Sequence, residues 1–160
     1  MNDGESIRIR YFPAEVLMPE YIKAMNEVGS VTIPVSGGSM VPFVAHMRDT
    51  VTLSAIKSPP KVGDIVLYIR EKPTRKYVMH RIVRFNRKKC EYSMCGDAQT
   101  AVETGIRQEQ LLAVATSVVR KGKRLNRGGF RWRMFSLIWR CVRPIRPVLL
   151  SFSGRLKHGG

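Results

Sequence analysis

The last third of this 160-residue chain contains no acid. Residues 110–160 hold 12 Lys and Arg but neither Asp nor Glu, whereas residues 1–109 hold 16 basic and 12 acidic residues. The net charge of +16 is therefore mostly a property of the tail. Such a tail implies an anionic partner, either nucleic acid or the negative face of a membrane. Cysteine is also scarce. Cys90, Cys95 and Cys141 make an odd number with no CxxC pair and no zinc-ligand spacing, which argues against a structural zinc site or a disulfide framework. We expect reduced thiols, with Cys90 and Cys95 facing each other only if their strand bends. No run of 18 apolar residues occurs, so no transmembrane helix is expected. Met1 to Arg10 is polar and charged, and no signal peptide is expected there.

What is present is enough for a folded domain. Apolar residues make up 44% of the chain, which excludes disorder throughout. From Ala14 to Val28, Val16, Leu17, Tyr21, Ile22, Met25 and Val28 recur at about 3.6-residue spacing, which predicts a short helix. Pro19 marks a start or a kink, and Gly29 a stop. Short β-like runs follow at Val31–Val35, Thr50–Ile56, Asp64–Ile69, Tyr77–Phe85, Glu91–Cys95 and Leu111–Val119. Turn residues separate them, as in a small barrel or sandwich. The fold class expected is mainly β: a small coiled-sheet, barrel-like domain over 31–119. A segment with a short helix (1–30) precedes it, and a basic amphipathic tail (120–160) follows. Lys121 to Gly129 reads as a basic linker, Phe130 to Val142 as an amphipathic helix, and the stretch with Pro144 and Pro147 as a kinked apolar end.

Three features carry chemistry. Ser36-Gly-Gly-Ser-Met-Val-Pro42 follows the first strand directly. Two glycines before Ser39 allow a sharp turn that exposes its hydroxyl. They also leave room for a carbonyl near backbone N–H groups, as an oxyanion hole requires. Ser36, Gly37 and Gly38 are the candidate oxyanion-hole and substrate-binding positions. A serine needs a base, and His80, inside the apolar strand Tyr77 to Val83, is the candidate. His158 lies in the tail, and His46 is too close to Ser39 in sequence to face it easily. Asp97, in Met94-Cys-Gly-Asp-Ala-Gln99, is the candidate third group that orients the imidazole. Each feature alone has a plain alternative: a Gly-Ser loop, a core histidine, a turn aspartate.

Their order is more telling. The chain resembles the signal peptidase I superfamily of serine peptidases (S24/S26-like), and most closely its ER and archaeal branch with a Ser–His pair. Gly38-Ser-Met-Val-Pro42 is similar to the nucleophile box, and Asp49-Thr-Val-Thr-Leu to the strand after it. Val62-Gly-Asp-Ile-Val66 is similar to the Gly-Asp turn and its strand. His80-Arg-Ile-Val83 is similar to the base box, and Gly96-Asp-Ala-Gln99 to the acidic box. The resemblance implies a hydrolase with Ser39 as nucleophile, His80 as general base and Asp97 as acid, needing no metal or cofactor. In the family a second acid follows the Gly-Asp box; here that place falls to Glu103, so Asp97 and Glu103 both stand as orienting groups. Family members of the bacterial and LexA-like branches use lysine as base, and Lys76 is the nearest rival to His80. The bacterial branch often places a serine at the position of Gly37, where side-chain donation is lost here. Phe43 follows the proline where a small polar residue is usual. Family members also carry an N-terminal membrane span, for which this chain has no candidate.

The implied partners are a peptide or precursor-protein substrate and, through residues 120–157, an anionic membrane surface. On a helix over 130–142, Trp132, Phe135, Ile138, Trp139 and Val142 fall largely on one side, flanked by arginines. That pattern suits a helix lying in a membrane interface, hence a peripheral membrane-associated protein. A helix packed on the β domain is the competing reading of the same stripe. A cytoplasmic, non-cleaving LexA-like binding or regulatory module, with a tail for nucleic acid or membrane, is the alternative to the enzyme. No helix-turn-helix pattern precedes the β region.

Overall fold

The computed structural model describes residues 14–142, with side chains from Glu15. The Pro-kinked end expected after Val142 and the polar start lie outside the described residues. Helix α1 spans Ala14–Val28, as its apolar spacing predicts. Met25 is buried, while Met18, Tyr21 and Ile22 pack beside it against the sheet. Pro19 is tolerated in the second turn. Gly29 ends the helix with φ of 85°, its N–H bonding the Met25 carbonyl at 2.8 Å.

Eight antiparallel strands form one curled half-barrel sheet. They are β1 (Ser30–Pro34), β2 (Thr50–Ser54), β3 (Ile65–Arg70), β4 (Lys76–Asn86), β5 (Glu91–Cys95), β6 (Glu103–Arg107), β7 (Leu111–Arg120) and β8 (Lys123–Asn126). The order is β1-β2-β7-β3-β4-β5-β6, and β8 pairs with the end of β7. Six of these strands follow the sequence expectation closely; β6 and β8 do not appear in it. Both bury little: Ile106 is the only buried residue of β6 and Leu125 the only half-buried residue of β8, so neither shows an alternating pattern. The expected linker is in fact a hairpin. Lys121 and Gly122, with φ of 48° and 73°, supply the paired left-handed residues that a tight two-residue hairpin turn requires.

The two faces of the sheet carry different cores. One holds Ile33, Val35, Val51, Leu53, Leu67 and Val118 together with Met40, Phe43 and Val44 from the β1–β2 connection, and is covered by α1 and by α2 (Phe130–Val142). The other, inside the curl, holds Val66, Tyr68, Ile82, Tyr92, Met94 and Ile106. Successive strand residues point to opposite faces, so neighbours in sequence on β3 and β4 serve different cores.

Helix α2 spans the predicted residues, but its expected membrane face is docked at Trp132, Phe135 and Trp139, while Ile138 of that face is exposed. Trp132 is buried and meets Phe43 edge-on at 5.0 Å, and Phe135 lies 4.6 Å from Phe43 and 5.5 Å from the ring of Trp139. These rings cover the β domain, which is the competing reading of that stripe. The opposite side exposes Phe130, Met134 and Leu137. No described helix is long and apolar enough to cross a membrane.

Candidate active site

The β1–β2 connection carries Ser39. Gly37 takes a φ of 81°, which a side chain would resist, and its N–H donates to His46 Nδ1 at 3.1 Å. His46 therefore orders the glycine turn from within the loop, and Gly37 N–H is already committed. This corrects its expected place among the oxyanion donors. The N–H groups of Gly38 and Ser39 bond no other described residue. Space around Gly37 and Gly38 is open, Ser36 is exposed and Ser39 is half-buried. Asp49, wholly buried, fastens the far end of the loop. Its carboxylate accepts from Ala45 N–H at 2.8 Å, from Lys121 N–H at 3.3 Å and from Arg48. The Arg48 bond in particular holds the Asp49 pKa down at about 2.

The acidic box meets this turn directly. Ala98 N–H donates to the Ser39 carbonyl at 2.7 Å. A Cβ on Gly96 would lie 2.5 Å from that same oxygen, so only glycine permits the approach. Strand β5 pairs with β4 at Arg81↔Cys95, which puts His80 one residue from the strand position facing the acidic box. The Ser39 turn and the acidic turn therefore meet, and the acidic turn directly follows the strand that pairs with β4 beside His80. Ser39 Oγ makes no hydrogen bond to His80 among the described residues; such contacts often tighten only around substrate.

His80 is 2% exposed and points into the curl. Its Nδ1 lies 3.2 Å from the Tyr68 hydroxyl and 3.6 Å from Glu103 Oε1. Tyr68 O–H donates to Glu103 Oε2 at 2.9 Å, and Arg70 pairs with Oε1 at 3.1 Å. Burial lowers the His80 pKa below its ordinary value; Glu103 opposes that shift and Arg70 adds to it. A neutral imidazole is the form that can accept a proton. Burial also raises the Tyr68 pKa, with the nearby Glu103 charge adding to the effect.

Asp97 is placed differently from the expectation. Arg81, the residue after His80, points to the opposite face and grips Asp97 with Nε at 2.8 Å and Nη2 at 2.7 Å. Its Nη1 bonds the Gly63 carbonyl at 2.9 Å and Ser136 Oγ of α2 at 2.8 Å. Phe43 and Phe135 lie against the guanidinium, 4.9 and 5.5 Å from its centre. The carboxylate beside His80 is therefore Glu103, while Asp97 is held in a buried ion pair with Arg81. Lys76 is exposed at the start of β4, and four residue steps along the strand carry it about 13 Å from His80.

Tyr68 and Arg81 escape a reading of the sequence alone. Tyr68 looks like one more apolar strand residue. Only the Val66↔His80 register sets it diagonally beside the imidazole on the same face. Cys90 is exposed, while the Cys95 thiol is buried and donates to the Ala101 carbonyl at 3.1 Å. No family model matches the chain, and no curated protein or solved structure matches it either.

Proposed function

We propose that this chain is a serine endopeptidase of the signal-peptidase type, with Ser39 as nucleophile, His80 as general base and Glu103 as the acid behind the base. The observation that carries the reading is the buried His80 ring. Its Nδ1 side is occupied by Tyr68 and Glu103, and its strand position adjoins the turn that holds Ser39. Ser39 Oγ attacks the scissile carbonyl while His80 takes its proton. The N–H groups of Ser39 and Gly38 receive the oxyanion, the C–N bond breaks, and the same proton passes to the leaving amine. Water then repeats the sequence on the acyl-enzyme. The open glycine turn suits an extended peptide, and the family resemblance points to small residues before the cleaved bond. The competing view, a non-cleaving binding module, leaves a buried base beside a serine turn without a purpose.

The test is labelling of the purified full chain with a fluorophosphonate probe. Label on Ser39 is expected, together with its loss in Ser39→Ala, a variant that keeps the wild-type circular dichroism spectrum. Failure of folded wild-type protein to label, or equal labelling of Ser39→Ala, would sink the peptidase reading.

The same reading includes peripheral attachment to an anionic membrane, but through the other side of α2. Phe130, Met134, Leu137 and Ile138 form an exposed stripe, with Arg131 on one flank and Arg133 and Arg140 on the other. Apolar side chains between snorkelling arginines suit an anionic lipid interface. Leu137→Asp with Ile138→Asp alters only exposed positions. The full chain is expected to float with phosphatidylserine vesicles, and the double variant to lose most of that binding. Equal flotation of the two proteins would remove the membrane reading. Truncation before Lys121 is no substitute, since it deletes β8 and withdraws Trp132 from the core.

A further inference from the structure

We infer that Tyr68 is a positioning residue that fixes the tautomer of His80, holding the proton on Nδ1 and leaving the Nε2 lone pair as the acceptor. The role deepens the peptidase reading and rests on it, but the placement of the proton is measurable without any cleavage.

The argument is one of donor supply. The Tyr68 hydroxyl has a single proton and lies between two acceptors, Glu103 Oε2 at 2.9 Å and His80 Nδ1 at 3.2 Å. A carboxylate only accepts, and charge-assisted bonds are the stronger kind. The phenol proton therefore goes to Glu103. Tyr68 oxygen is then left to the ring as an acceptor, so the 3.2 Å contact is a hydrogen bond only when Nδ1 carries the proton. Glu103 Oε1, at 3.6 Å from Nδ1 and paired with Arg70, is too far to set the tautomer by a bond of its own. Its charge reaches the ring; its geometry reaches the ring through Tyr68. The raised Tyr68 pKa keeps the phenol a donor, and burial of both rings keeps water from competing.

This differs from a direct acid–imidazole bond. The carboxylate is held off by one hydroxyl, and no proton has to move between Glu103, Tyr68 and His80 during the reaction. When His80 takes the Ser39 proton on Nε2, the Nδ1–H bond to Tyr68 is kept and the Glu103 charge faces the new imidazolium.

The experiment is 15N NMR of the full-length protein labelled at histidine, recorded above the His80 titration, with the signals of His46 and His158 identified by His46→Gln and His158→Gln. Wild type is expected to show His80 with a pyrrole-type Nδ1 and a pyridine-type Nε2. Tyr68→Phe is expected to release the tautomer to a mixture and, on a cleaved peptide, to lower kcat about 10-fold with KM within a factor of two. Glu103→Gln, which removes the charged acceptor, is expected to shift His80 toward the Nε2–H form. The inference is overturned if wild type carries the proton on Nε2, or if Tyr68→Phe leaves both tautomer and kcat unchanged. A protein that shows the tautomer shifts but labels with no serine probe would keep the proton assignment and lose the peptidase reading.

Discussion

His80 and Arg81 are adjacent on β4, and each faces a carboxylate, yet the two pairs do different physical work. His80 looks into the curl toward Tyr68 and Glu103, with its ring and the acid 3.6 Å apart and a hydroxyl between them. Arg81 looks toward the helices and binds Asp97 in a two-bond grip, with Gly63, Ser136 and two aromatic rings closing around it. The first pair has no direct hydrogen bond, which suits the proposed role of His80 as a base that gains and loses a proton. The second is saturated with hydrogen bonds, which is the condition under which a buried charge pair is tolerable. Two acids thus meet different partners because neighbouring residues of β4 face opposite sides of the sheet, and under the proposed function one serves the base while the other holds the structure.

Exchanging the acids breaks that comparison most directly. Arg81→Met leaves the Asp97 charge buried, and removal of one partner from such a pair costs about 3–5 kcal/mol. A large fall in the urea midpoint is expected, and Asp97→Asn should move it the same way to a smaller extent. Glu103→Gln should leave the midpoint nearly unchanged and lower kcat about 100-fold, in the range of general-base assistance. If Asp97→Asn instead abolishes activity in a protein of wild-type stability, while Glu103→Gln cleaves normally, the roles assigned to the two acids are reversed.

A smaller effect, in pH, sharpens the same contrast. Burial lowers the His80 pKa in the folded protein, so the rising limb of kcat/KM should have its midpoint below the ordinary value of about 6.5. The same shift acts on stability. The unfolded chain binds the proton more readily, so stability is complete above about pH 6.5 and declines as pH falls from there toward the folded-state pKa. Glu103→Gln removes the charge that opposes the shift and should move the midpoint lower still. An activity limb above pH 7 would indicate a different base.

Much of the fold is legible in the chain. The period of α1 and α2, Gly29 as a stop, and the alternation of β2 follow from local preference and from which residues must be buried. β6 and β8 were invisible because each contributes at most one side chain to a core, and pairing with a neighbour does the rest. In the proposed site, the turn that carries Ser39 and the strand that carries His80 were readable because a glycine turn and an apolar strand are local patterns. Which acid stands behind the base was not readable, because two residues of different strands meet only through register.

The sequence by itself determined both helices and six of the eight strands, the basic C-terminal region and the presence of a serine turn, a strand histidine and two acids, because each depends on neighbours along the chain. Tertiary structure decided the rest. The register of β3, β4, β5 and β6 placed Tyr68 and Glu103 with His80 and turned Arg81 toward Asp97. The docking of Trp132 on Phe43 decided which stripe of α2 meets the core and which faces outward. A helix with two apolar stripes can bury either one, and only the shape and chemistry of the surface it packs against select between them.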